Sequence, residues 1–109
     1  MSKKIILLAG PTASGKSKLA IQLAKRLNGE IINADSMQIY KEFTILSSRP
    51  DNKETRKVKH HLYGIISVKK HFSAGDWLKL AKNKINLCYK FKKVPIIVGG
   101  TSLYFNTIT

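Results

Sequence analysis

The chain of 109 residues has room for one domain and none for a second, with a modest core that buries roughly 65% of the unfolded surface. A hydrophobic content of 43% without low-complexity tracts excludes a disordered chain, and a single cysteine, Cys88, excludes a disulfide framework or a cysteine metal site. Twenty Lys and Arg against six Asp and Glu give a net charge of +14, which suits a polyanionic partner or reflects a lysine-rich vocabulary set by genome composition.

The first element is an apolar run, Ile5-Ile6-Leu7-Leu8-Ala9, read as a buried strand. It runs into Gly10-Pro11-Thr12-Ala13-Ser14-Gly15-Lys16-Ser17, the pattern G-x-x-x-x-G-K-[ST] of a phosphate loop. Gly10 and Gly15 let the backbone curl so that successive N–H groups converge on one anion. Lys16 adds a point charge, Ser17 offers a hydroxyl to Mg²⁺, and a helix starting near Gly15 turns its positive end to the same phosphate. The apolar run is too short for a membrane span or a secretory signal, so a reducing cytoplasm is the expected compartment.

Leu19, Ala20, Leu23, Ala24 and Leu27 share one face of the following helix, which Asn28-Gly29 stops. Glu30 to Ala34 reads as a second strand, so strand, helix and strand form one βαβ unit of a parallel sheet. Asp35-Ser36-Met37-Gln38-Ile39-Tyr40 follows at the carboxyl end of that strand, the edge where open α/β sheets bind ligands. Asp35 is there either a ligand-facing carboxylate or the N-cap of a short helix.

Ser47 to Asn52 is a loop by composition, and Lys53 to Lys59 is either a solvated helix or a phosphate-contacting patch. A short third strand is expected over His60–Ile66, with the adjacent histidines on opposite sides and unable to share one metal. Ser73-Ala74-Gly75-Asp76 has capping-box spacing, and Trp77, Leu78, Ala81, Ile85, Cys88 and Tyr89 make the apolar face of the longest helix. Val94 to Val98 is the fourth strand. It ends in Gly99-Gly100-Thr101-Ser102-Leu103-Tyr104, either an ordinary βα turn or a second set of N–H groups facing the phosphate edge. The fold class is therefore α/β, a P-loop-type parallel sheet with flanking helices, read as cut short inside a helix at Thr109.

Gly10–Ser17, Asp35–Tyr40, Arg49-Pro50, His60–Leu62, Phe72–Asp76 and Gly99–Tyr104 together resemble, in order and spacing, the tRNA dimethylallyltransferases. The departures are Leu46-Ser47 where the family usually has Gly-Thr, and Gly64 where it usually has Asp. Family proteins also continue well beyond this length, so residues 1–109 correspond to the N-terminal part of a P-loop prenyltransferase domain, with a second polypeptide as one possible source of the remainder.

The resemblance implies transfer of a dimethylallyl group from dimethylallyl diphosphate to N6 of the adenosine next to the anticodon of a tRNA, with Mg²⁺ as cofactor. Gly10, Pro11, Thr12, Ala13, Ser14, Gly15, Lys16 and Ser17 then hold the donor diphosphate, and Ser17 is the metal residue. Asp35 is the base at N6, and Thr101 lies between donor and acceptor. Asp35, Ser36, Met37, Gln38, Arg49 and Thr101 contact a tRNA nucleotide displaced from its stack. Glu30, Glu42, Asp51, Glu54 and Asp76 fall at turns, loops or caps, which leaves Asp35 alone at a strand end. Two other functions stay open: a small P-loop nucleotide kinase or ATP-binding module, and a catalytically dead truncated remnant that binds RNA. By itself the chain is expected to be inactive or barely active on tRNA.

Overall fold

Among the described residues, two amphipathic helices and four short strands build a three-layer α/β/α sandwich. The computed structural model describes residues 4–9, 16–36, 38–41, 58–67 and 69–99. In chain order the elements are β1 (Ile6–Ala9), α1 (Lys16–Leu27), β2 (Gly29–Asn33), β3 (His60–His61), α2 (Ala74–Lys90) and β4 (Val94–Gly99). All strand pairs are parallel, and the order across the sheet is β1-β4-β2-β3.

β1, α1 and β2 form the expected βαβ unit of a parallel sheet, with β4 inserted between its two strands. Burial explains the placement. Pro95 to Gly99 are all buried, whereas β1 alternates between half-buried and exposed residues. A strand apolar on both faces gains most at the centre, where two neighbours and both helix layers cover it. Pro95 fits there because β4 meets β1 only from Ile96 onward, paired with Ile6, while the Val94 N–H goes to the Asn28 carbonyl at 3.2 Å.

Alternation along the strands divides the core in two. Ile31, Ile96 and Val98 pack with Ala20 and Ala24 of α1. Ile32, Ala34 and Ile97 pack with Trp77, Ala81, Ile85 and Cys88 of α2. On α1 the expected apolar face is only partly right: Ala20 and Ala24 are buried, but Leu19 and Leu27 are 47% and 40% exposed. The two alanines let the helix lie close to the sheet, and this turns the flanking leucines outward. β1 is likewise not the buried strand expected, for on its α2 side Ile5 and Leu7 are 47% and 43% exposed.

Caps and left-handed residues set the boundaries. Ser73 accepts from the Asp76 N–H at 3.1 Å and the Asp76 carboxylate accepts from the Ser73 N–H at 2.9 Å, so the capping box forms with Asp in the usual Glu place. Asn28, with φ 57°, takes the left-handed turn after α1. Gly29 does a different job, for a Cβ there would lie 2.7 Å from the Val94 carbonyl oxygen and 3.0 Å from Ile96 Cδ1. The third strand is shorter than expected because Leu62 (φ 66°) and Gly64 (φ 60°) are both left-handed, which ends pairing after His61. Among the described residues no helix is long and apolar enough to cross a membrane.

The two histidines do face different partners. The His60 Nδ1–H donates to the Val58 carbonyl at 2.8 Å, and His61 Nε2 lies 2.6 Å from Glu30 Oε1. Burial pushes the His60 pKa below its ordinary value, against the opposing pull of the Val58 bond, and His61 lowers it further.

Two predictions follow from the packing. Gly29→Ala is expected to destabilise the chain by about 1–3 kcal/mol through overpacking against β4, measured by urea denaturation; an unchanged midpoint would show that β2 and β4 can separate freely. The unfolded chain protonates His60 near its ordinary pKa of about 6.5 while the folded chain resists. Stability is therefore full above that pH, falls as the pH drops through it, and levels off below the folded pKa. His60→Gln is expected to flatten this part of the Tm-versus-pH curve.

Candidate active site at the carboxyl edge of the sheet

Because the strands are parallel, three sequence motifs begin at one edge. Ala9 at the end of β1 pairs with Gly99 at the end of β4, and Asn33 at the end of β2 pairs with Val98. The chain leaves these points into the phosphate-loop sequence, the Gly-Gly-Thr sequence and Asp35 respectively. The Ala34 N–H donates to the Val98 carbonyl at 2.8 Å, which holds the β2 exit against β4.

Of the residues expected in the site, Asp35, Ser36 and Gln38 are described, together with the backbone of Lys16 and Ser17 as the first two residues of α1. Gly10, Pro11, Thr12, Ala13, Ser14, Gly15, Met37, Arg49 and Thr101 lie outside the described residues. α1 thus starts where a helix that receives a phosphate at its N-terminus should start. Asp35 is 9% exposed, buried at the rim of the core.

The stretch after Asp35 is held by the segment that follows β3. The Gly64 N–H donates to the Gln38 carbonyl at 2.9 Å, the Ile65 N–H to Ile39 at 2.9 Å, and Tyr40 bridges Ile66 in parallel. Ile39 is fully buried and anchors the run in the α2-side core. The departure at Gly64 therefore has a backbone role: its left-handed conformation turns the chain so that its N–H meets Gln38.

Asn33 is the residue that sequence reading missed. It is 1% exposed, and its side chain clamps the Asp35 peptide from both sides. Asn33 Oδ1 accepts from the Asp35 N–H at 2.9 Å, and Nδ2 donates to the Asp35 carbonyl at 3.0 Å and to the Leu62 carbonyl at 2.9 Å. The Asn33 carbonyl in turn accepts from the Trp77 indole at 2.6 Å, which ties the α2 layer to the same point. The only sequence signal was a polar residue directly after the apolar pair Ile31-Ile32.

Tyr63 is a second addition. Burial raises its phenol pKa, and the negative charge of Asp35 raises it further, so the hydroxyl stays protonated at neutral pH. Glu30 is inside β2 and engaged by His61, and Asp76 is spent on its cap, so neither competes with Asp35. Among the described residues no group of three or more His, Cys, Asp or Glu could hold a metal ion. Cys88 is buried with its thiol pKa pushed up to about 11, chiefly by burial and also by Glu30, so it is not a nucleophile at neutral pH.

Asn33→Ala leaves the Asp35 N–H and the Leu62 carbonyl buried without this partner, and a loss of about 2–4 kcal/mol is expected in urea denaturation followed by the fluorescence of the sole tryptophan, Trp77. A loss below about 1 kcal/mol would mean that water takes over the clamp.

Comparison with known proteins places the chain in a family. The IPP transferase family matches residues 38–109. Among relatives, the tRNA dimethylallyltransferase of Pelagibacter ubique is 55% identical over 105 residues, covering 96% of this chain and 34% of that protein. That of Rickettsia felis is 49% identical over 106 residues, covering 97% and 34%. Among solved structures, the tRNA isopentenylpyrophosphate transferase of Bacillus halodurans superposes with a TM-score of 0.85 at 40% identity, over 98% of this chain and 35% of that one. A eukaryotic dimethylallyltransferase acting on tRNA gives 0.85 at 39%, over 97% and 26%. The chain spans about a third of the length of the curated relatives it matches. With identity at this level across nearly all its residues, the chain belongs to the IPP transferase family.

Proposed function

We propose that the chain carries the donor-binding and base-bearing part of a tRNA dimethylallyltransferase acting in the cytoplasm, and that the phosphate-loop sequence receives dimethylallyl diphosphate. The observation that supports this reading best is the register at the carboxyl edge, where the exits of β1, β4 and β2 are level. Two strand spacings separate the phosphate-loop exit from the Asp35 exit, about 10 Å. That separation suits a donor whose leaving group and reacting carbon lie at opposite ends, with the Gly-Gly-Thr exit between them.

In the reaction so proposed, the C–O bond to the diphosphate breaks, a bond forms between that carbon and N6 of adenosine, and diphosphate leaves. The N6 proton passes to the Asp35 carboxylate. An amine conjugated with its ring is a weak nucleophile, so an acceptor held at a fixed position raises its reactivity. The Asn33 clamp fixes the peptide that bears this carboxylate. In this reading the backbone N–H groups that the phosphate-loop sequence supplies, the α1 N-terminus and the Lys16 charge stabilise the charge that develops on the leaving diphosphate. Mg²⁺ fits the donor chemistry, since it takes oxygen ligands of the kind that the Ser17 hydroxyl and a diphosphate carry, and it would neutralise part of the diphosphate charge. The positive charge of the chain serves the tRNA backbone.

Titration calorimetry tests the donor half directly. Dimethylallyl diphosphate with Mg²⁺ is expected to bind more tightly than ATP and to lose at least about tenfold in affinity in Lys16→Ala, while Asp35→Asn keeps binding within about twofold and abolishes any transfer to tRNA. Tighter binding of ATP would replace this reading with a nucleotide-binding module.

A further inference from the structure

At the opposite, amino end of the sheet, both helices finish and the chain turns back into the strands. Basic residues collect there. Lys90 closes α2, Lys92 and Lys93 occupy the turn into β4, and Lys59 precedes β3. Among the described residues no carboxylate pairs with any of these four, and Lys93 Nζ donates instead to the neutral Asn28 side chain at 2.6 Å.

Cations at helix C-termini have an ordinary explanation in the helix dipole. It covers Lys90 in the last turn of α2 but not Lys59, Lys92 or Lys93, which lie outside the helices. It also leaves Phe91 unexplained. Phe91 is 64% exposed, the most exposed large hydrophobic side chain among the described residues. Its ring has the Lys90 ammonium 5.8 Å from the centroid and lines a groove of about 450 Å³ with Gly29, Glu30, Lys59 and Lys93. The one carboxylate in the groove, Glu30, is engaged by His61 at 2.6 Å.

An exposed aromatic ring among lysines that no carboxylate neutralises is the pattern that binds single-stranded nucleic acid: a base stacks on the ring and cations follow the phosphates. We propose that Phe91, with Lys59, Lys90 and Lys93, forms a binding surface for a single-stranded RNA segment, separate from the phosphate-loop edge. The choice of RNA over DNA rests on the proposed tRNA reading; the stacking and charge argument does not. The groove admits one nucleotide unit, with its base against Phe91 and its flanking phosphates at Lys59 and Lys93.

Fluorescence anisotropy of the chain with a labelled 12-nucleotide oligo(U) RNA at several salt concentrations tests this. Phe91→Ala is expected to weaken binding about tenfold with little change in salt dependence, and Phe91→Trp to restore it. Lys59→Gln with Lys90→Gln is expected to lower the slope of log K against log salt by about 0.7 for each charge, whereas Lys79→Gln with Lys82→Gln on the outer face of α2 changes it less. Phe91 is exposed, so its variants keep the fold, which thermal melting checks.

Equal binding by Phe91→Ala and the parent chain, or equal losses from the two lysine pairs, would overturn the proposal in favour of diffuse charge. Self-association that Phe91→Ala abolishes would overturn it in favour of a contact between copies, and tighter binding of the matching DNA would overturn the choice of RNA. Dimethylallyl diphosphate is expected not to displace the RNA. If the diphosphate fails to bind while the Phe91 effect holds, the transferase reading fails and this surface stands.

Discussion

The double pairing of β4 sets the rest of the structure. Val94–Gly99 is hydrogen-bonded to β2 on one side and to β1 on the other, and its residues contribute to both halves of the core. Such a strand must be apolar on both faces, and its approach to β2 is so close that residue 29 has no room for a Cβ. The level exits of β1, β4 and β2 follow from that register, and so does the convergence of the phosphate-loop, Gly-Gly-Thr and Asp35 sequences on one edge. A slip of β4 by one residue would reverse its faces, which makes the register stiff where the chemistry needs it.

Asn33 carries the same constraint into the site. A strand end leaves backbone groups without a ladder partner, and burying them unpaired is expensive. Asn33 meets this demand by serving the Asp35 N–H, the Asp35 carbonyl and the Leu62 carbonyl together, while its own carbonyl takes the Trp77 indole. β2, the segment after β3 and α2 are therefore tied at one buried point. The stiffness of the Asp35 peptide is a property of the core, while its carboxylate sits at the rim.

What the sequence made legible is what depends on local pattern. The apolar run before the phosphate loop, the capping box at Ser73 and the helical face of Trp77, Ala81, Ile85 and Cys88 each depend on neighbours a few residues away, and each forms. The strand order was not legible, because the insertion of β4 between β1 and β2 is a contest between distant segments for the best-covered position. Leu19 and Leu27 misled for a related reason: helical spacing groups them with Ala20 and Ala24, and only the close seating of α1 on the sheet decides which of the four are covered. His60–Ile66 looked like a longer strand because its composition is β-prone, yet Leu62 and Gly64 are needed in left-handed conformations to return the chain to Gln38 and Ile39. The position of Asp35 just past a strand end was readable from the sequence. Asn33 was not, since its partners are separated by up to 44 residues.

The two ends of the sheet also differ in their electrostatics. In a parallel α/β layer the helices run opposite to the strands, so α1 presents its N-terminus at the carboxyl edge, and both helices bring their C-termini to the other end. The amino end therefore starts with a negative bias that attracts cations, and Lys90 in the last turn of α2 answers it. Lys59, Lys92 and Lys93 go beyond that need, which turns the local balance positive around Phe91. A chain with +14 net charge repels itself everywhere, and extra cations cost least where helix C-termini already offset part of the repulsion. The helix dipoles thus favour negative charge at the carboxyl edge and make the amino end a tolerable place to store positive charge.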